Sequence, residues 1–148
     1  MTVVNFAFTE DGKENGAQAP LRKHHNDAGA DLFAAQEIVV PARDRVTVKT
    51  GICMELPEET AGFINPRSGL AEKKGITVLN APGTSDAGYR GEVKVLLINH
   101  SDEDVLVSRG ERIAQLVIVP VILATFKEVD SLSDSERGAN GFGSTGMS

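Results

Sequence analysis

Short apolar or alternating runs, rich in Val, Ile and Thr, recur along the chain between turn residues. They are "EIVVP" (37–41), "RVTVKTGICMELP" (45–57), "AGFINP" (61–66), "GITVLN" (75–80), "GEVKVLLINHS" (91–101) and "DVLVSRGERIAQLVIVPVILATFKEV" (104–129). A period of two in β-branched sequence predicts strands. Gly51 is expected to divide the second run into two strands and Gly110 to divide the last, while Pro120 marks an edge or a bulge. Only "SGLAEKKG" (68–75) reads as helix, with Gly75 as its stop. Many short strands and almost no helix predict an all-β domain, a barrel or a jelly roll. From Asp130 onward Ser, Asp and Gly dominate, so a domain is expected over 1–129 and a flexible arm over 130–148.

Composition narrows the function classes. A chain of 148 residues with net charge −6 and no Lys/Arg run repels a polyanion, so no nucleic-acid partner is expected, although a small anion in a local pocket is allowed. Apolar runs such as "VKVLLI" and "LVIVPVILA" fall short of a membrane span, and "MTVVNFAFTEDGKENG" lacks the basic start of a secretory signal. The single Cys53 leaves no internal disulfide and agrees with a reducing compartment. No membrane partner and a cytoplasmic location are the expectations.

The loops carry residues that a β core does not need. "NDAGADLFA" (26–34) sets Asp27 and Asp31 around Gly29, which suits an Asx turn or a carboxylate holding the water of a hydrated divalent cation. "NPRSGLA" (65–71) puts Arg67 and Ser68 ahead of the short helix, where guanidinium, hydroxyl and leading amides suit an anion, or Ser68 simply caps the helix. "LNAPGTSDAGYRGEVKV" (79–95) brackets Asp86 with glycine-bearing turns; Asn80 can read an imide edge and Asp86 can serve as base for a water. Read plainly, the same stretch is a hairpin with a turn aspartate. In "GERIAQLVI" (110–118), Gln115 interrupts an apolar run. The terminal "RGANGFGSTG" (137–146) combines an arginine, a phenylalanine and two hydroxyls, but lacks the P-loop lysine. His24, His25 and His100 have no metal-ligand spacing.

In this order, "DAGADL", "PRSGLA", "NAPGTSDAGYRGEVKV", "GERIAQLVI" and "RGANGFGSTG" resemble the motif set of the trimeric dUTPases, over residues 27 to 146. The resemblance implies a distorted jelly-roll β-barrel, hydrolysis of dUTP to dUMP and pyrophosphate with Mg²⁺, and a homotrimer whose active sites are shared and closed by the arm. Carried over by position, Arg67, Ser68, Gly69 and Gln115 hold phosphate oxygens and help place the attacking water. Asn80, the backbone of Thr84, Ser85 and Asp86, and that of Lys94 bind uracil and sugar, and Tyr89 packs beneath the deoxyribose. Asp86 contacts the 3′-hydroxyl and activates water, and Asp31 steadies hydrated magnesium. In the arm, Phe142 stacks on uracil, Arg137 reaches the γ-phosphate, and Gly143, Ser144 and Thr145 follow the phosphate chain.

This chain departs from the family pattern at two places. Ser85 stands where Ile or Val is usual, which predicts looser packing behind the hairpin. Asn140 replaces a common glycine; if that position takes positive φ, slower closure of the arm is expected. A dCTP deaminase relative on the same fold and a non-catalytic nucleotide-sensing trimer are the competing expectations.

Overall fold

The computed structural model describes residues 1–143, 145 and 146. Ten strands follow the chain as β1 (Asn5–Phe8), β2 (Ala30–Phe33), β3 (Ile38–Val40), β4 (Arg45–Glu55), β5 (Thr60–Asn65), β6 (Ile76–Val78), β7 (Gly83–Asp86), β8 (Glu92–Asn99), β9 (Val105–Val107) and β10 (Arg112–Pro120). They form a sheet ordered β1-β4-β8-β6, a second ordered β2-β10-β5-β7, and a β3-β9 ribbon, with antiparallel pairing throughout. The all-β expectation holds.

Alternation decides which face turns inward. Along β8, Val93, Val95, Leu97 and Asn99 are buried, and Lys94 is exposed. Their side chains meet Val48, Ile52 and Met54 of β4, Leu32 of β2, Ile64 of β5 and Ile113 and Leu116 of β10 in one core between the sheets. Asn99 is fully buried, but it donates to the carbonyls of Val40 and Glu103 and accepts from Ser101, so no polar atom is stranded.

Two expectations need correction. Gly51 does not end a strand, because β4 runs unbroken from Arg45 to Glu55. Instead the pairing with β8 jumps from Lys49↔Lys94 to Cys53↔Glu92, so β4 carries two more residues than β8 across that interval. An even insertion keeps Val48, Ile52 and Met54 on the same face, and the positive φ of Gly51 (73°) absorbs the kink. The Gly51 N–H is satisfied by Glu92 Oε2 at 3.0 Å and its carbonyl by Thr9 N at 2.9 Å.

The second correction concerns helix. Among the described residues there are two, not one: α1 (Glu10–Glu14) precedes the expected α2 (Ser68–Lys74). Thr9 caps α1, its hydroxyl accepting from Gly12 N at 2.8 Å, and acidic residues fill the first turn. Gly75 ends α2 in the left-handed conformation, as expected. Regular structure stops at Pro120, and beyond it Ile122, Leu123 and Phe126 are exposed.

Candidate active site

The stretch 79–95 is not the hairpin expected from the sequence: β7 is the edge strand of the second sheet, β8 belongs to the first, and the two do not pair, so the chain crosses from one sheet to the other here. β7 pairs with β5 on one side only, so half of its backbone N–H and C=O groups face outward. A turn, with Tyr89 N donating to Asp86 O at 3.1 Å, then carries the chain into β8. Between β7 and β8 lies a cleft of about 250 Å³, lined by Asn80, Thr84, Ser85, Asp86, Tyr89 and Lys94, with Glu92 unforeseen among them. Asp86 is exposed, and among the described residues its carboxylate has no hydrogen-bond or ion-pair partner. Ser85 pairs with Gly62, so the register of β7 on β5 is intact despite the departure at this position.

The Tyr89 ring folds over Gly91, and its hydroxyl donates to the Glu92 carbonyl at 3.0 Å. A Cβ at residue 91 would lie 2.4 Å from that hydroxyl. This glycine therefore admits a side chain of the same loop rather than a ligand.

A second pocket, of about 390 Å³, is lined by Asp31, Arg67, Ser68, Gly69, Gln115 and Lys23. The register of β2 with β10 places Asp31 opposite Gln115. Gln115 Nε2 donates to the Pro66 carbonyl at 3.0 Å, which fixes its side chain beside Gly29. A Cβ at residue 29 would lie 2.2 Å from Gln115 Oε1. Asp31 is ion-paired with Arg67 Nε and with Arg112 Nε, each at 3.4 Å. Ser68 is not the helix cap: Arg67 occupies that place and makes no side-chain cap bond, so the hydroxyl is not spent on the helix.

Lys23 and Arg112 went unnoticed in the sequence. No local spacing links residue 112 to residue 31; only the cross-strand pairing of β2 and β10 does.

The two pockets share no lining residue. Asp86 lies opposite Ala61, and Gln115 opposite Asn65, at different points along β5. That offset amounts to about 13 Å along the strand and about 10 Å across two strand spacings, or roughly 16 Å. One chain therefore brings Arg67, Ser68, Gly69, Gln115 and Asp31 together, and separately Asn80, Thr84, Ser85, Asp86, Tyr89 and Lys94. It does not bring Asp86 to Arg67 and Gln115.

The arm joins neither group. Arg137 Nε donates to the carbonyl of Asn140 at 2.7 Å, and Phe142 is fully exposed. Gly143 and Thr145 line neither pocket, and Ser144 lies outside the described residues. Asn140 is not in the left-handed region, whereas Phe142 is, at φ 40°.

Among the described residues no three His, Cys, Asp or Glu side chains cluster to chelate a metal. A partly buried carboxylate facing a pocket lined by cations fits an ion whose own shell is mostly water and phosphate, with Asp31 taking a hydrogen bond from that water.

The dUTPase family model matches residues 15–146. The chain belongs to the dUTPase family. A deoxyuridine 5′-triphosphate nucleotidohydrolase of Thermobifida fusca is 59% identical over 128 residues, covering 86% of this chain and 72% of the relative. One from Clostridium acetobutylicum is 53% identical over 134 residues, covering 90% and 92%. Among solved structures, the Staphylococcus bacteriophage 80alpha dUTPase with dUPNHPP is similar at a TM-score of 0.87 and 30% identity, over 99% of this chain and 100% of that one. Among the described residues, no helix is long and apolar enough to cross a membrane.

Proposed function

We propose that this chain hydrolyses dUTP to dUMP and pyrophosphate in the cytoplasm, as a homotrimer whose active sites combine residues of different copies. The observation that carries this reading is a base-sized cleft on an open strand edge, in a chain of the dUTPase family. Uracil would pair its imide edge with Asn80 and the outward backbone of Thr84, Ser85 and Asp86, near the backbone of Lys94. Once nucleotide covers them, cytosine would leave those groups unpaired, a mismatch worth about 10⁴-fold or more in such sites. Tyr89 would lie under the deoxyribose, where a 2′-hydroxyl has no room.

The separation of Asp86 from Arg67 and Gln115 supports a shared site. Groups roughly 16 Å apart cannot act on one phosphorus, so a second copy supplies the phosphate pocket. There Arg67, Ser68, Gly69 and Gln115 hold phosphate oxygens and help place the water. Asp86 takes a proton from that water as its oxygen bonds to the α-phosphorus. The bond from the α-phosphorus to the bridging oxygen breaks, and pyrophosphate leaves with the electron pair. Mg²⁺, bound mainly by the triphosphate and steadied through water by Asp31, supplies positive charge where the phosphate oxygens gain negative charge. Arg137, Phe142, Gly143, Ser144 and Thr145 close over the nucleotide from a third copy.

The deciding experiment measures pyrophosphate and ammonia released from dUTP, dCTP, dTTP and UTP with magnesium. Pyrophosphate from dUTP alone, with no ammonia, is expected. Ammonia from dCTP would favour a deaminase, and no product from any nucleotide would favour a sensor.

A further inference from the structure

We infer that Arg90 is a positioning residue of the cleft between β7 and β8, clipping the Tyr89 turn to the end of β4 and so setting how Tyr89 and Asp86 meet the sugar. This rests on the function proposed above. The Arg90 guanidinium makes three kinds of contact. Nη1 donates to the Ala87 carbonyl at 2.6 Å and to the Tyr89 carbonyl at 3.2 Å, while Nη2 donates to Glu55 Oε1 at 3.2 Å. Glu55 is anchored in turn, since Oε2 accepts from Asn5 Nδ2 at 3.3 Å across the β1–β4 pair.

The fold makes this contact possible through the insertion in β4. Beyond it, Cys53 pairs with Glu92, so continuing the register brings Glu55 opposite Arg90. β4 therefore outruns β8 and lies beside the turn. Two struts then join turn to strand: Arg90 to Glu55, and Glu92 Oε2 to Gly51 N at 3.0 Å. The Glu92 carbonyl also receives the Tyr89 hydroxyl, so both struts bear on Tyr89.

Stability does not account for the clip. Both side chains are more than half exposed (54% and 55%), and exposed pairs contribute about 0–1 kcal/mol. The turn also has its own closing bond, from Tyr89 N to Asp86 O. Orientation is the larger effect, because a displacement of about 1 Å at a reacting group can lower a rate by up to about 10²-fold. Only a planar fork with several donors can hold two carbonyls and a carboxylate together, and a lysine ammonium cannot reproduce it.

The test uses the full chain carrying R90A, R90K, E55A or the R90A/E55A pair. The readouts are kcat and KM for dUTP and UTP, and the fluorescence anisotropy of Tyr89. Tyr89 is the sole tyrosine in a chain without Trp, so its emission reports on this turn alone. R90A should lower the dUTP-over-UTP ratio of kcat/KM about tenfold and reduce the anisotropy. R90K should stay near R90A, and the double variant should cost less than the sum of its parts. Wild-type selectivity and anisotropy in R90A would overturn the inference. Should the wild-type chain release no pyrophosphate from dUTP, the proposed function fails instead, while the anisotropy of R90A still decides whether the clip exists.

Discussion

Tyr89 and Phe142 are both aromatic side chains set among glycines, at relative exposures of 49% and 112%. Tyr89 is held at three points, by its hydroxyl, its carbonyl and the Gly91 backbone beneath its ring. Phe142 packs against none of the core, in a segment where, among the described residues, the Arg137 side chain bonds only to the carbonyl of Asn140. A buried phenyl contributes roughly 1.5–3 kcal/mol, and the fold leaves that contribution unused. The turn between β7 and β8 is thus held by the fold itself, with no ligand needed to fix it. On the function proposed here, the arm would spend that energy only on closing, which is how a lid can couple substrate binding to exclusion of water.

The largest expected effect comes from the half that the fold holds. Asp86→Asn removes the proton acceptor but keeps the shape and exposure of the residue, whose side chain has no partner to lose among the described residues. Turnover should fall by about 10²–10⁴-fold with little change in nucleotide affinity. Single-turnover pyrophosphate release together with dUMP titration checks this, and a parallel loss of binding would show that Asp86 serves the sugar more than the water.

How much of this division was legible beforehand depends on the physical range of each signal. The alternation of Val93, Val95 and Leu97 identified β8, because burial on one face leaves a period of two in the sequence itself. α1 was missed although Thr9, Glu10 and Asp11 spell a helix start; five residues are too few to show an apolar stripe. Gly51 was read as a breaker because a glycine in a strand marks an interruption of some kind. Whether it ends the strand or bulges it depends on β8, forty residues away in the chain. The same limit hid Arg112: a salt bridge across β2 and β10 follows register, and register is not local. The end of regular structure left its mark in the Ser, Asp and Gly that dominate from Asp130 onward, whereas the contacts proposed for Phe142 would need a ligand and other copies, which no single chain encodes.

Truncation probes the arm. Removing residues 137–148 should leave the core untouched, since its buried set ends at Leu116 and regular structure ends at Pro120. Nucleotide should still bind the cleft between β7 and β8, but turnover should drop about 10²-fold because the reacting groups are no longer enclosed. A melting curve and steady-state kinetics separate the two outcomes. A truncated chain with full activity would erase the distinction between the two aromatics.

Gly29→Ala acts inside the phosphate pocket without touching a charged group. The new Cβ would lie 2.2 Å from Gln115 Oε1 and 3.0 Å from its Cβ, so a small rotation of the amide does not relieve the clash. Gln115 must leave the Pro66 carbonyl, and the water that the proposed function assigns to it would lose a partner. A loss of about tenfold in kcat is expected, with stability changed by no more than about 1 kcal/mol because the displaced side chain can turn toward solvent. Unchanged kinetics would mean that Gln115 does not position water.

The smallest effect is expected at Asn140, and its sign sharpens what kind of lid the arm is. The family-like glycine would matter if closure required positive φ at this position. In the arm Asn140 lies outside the left-handed region, and among the described residues the positive angles fall on Gly138, Phe142, Gly143 and Gly146. Asn140→Gly therefore removes no strain. It adds backbone freedom that closure must then freeze, worth about 0.5–1 kcal/mol. The outcome should be a kcat lower by less than about fivefold, since 1.4 kcal/mol corresponds to a factor of ten, with no change in melting temperature. If the glycine variant turned over faster than the parent chain, residue 140 would have to switch to positive φ as the arm closes. The bend that brings Phe142 onto uracil would then be made by a conformational change at Asn140, not by the angles that its neighbours already hold.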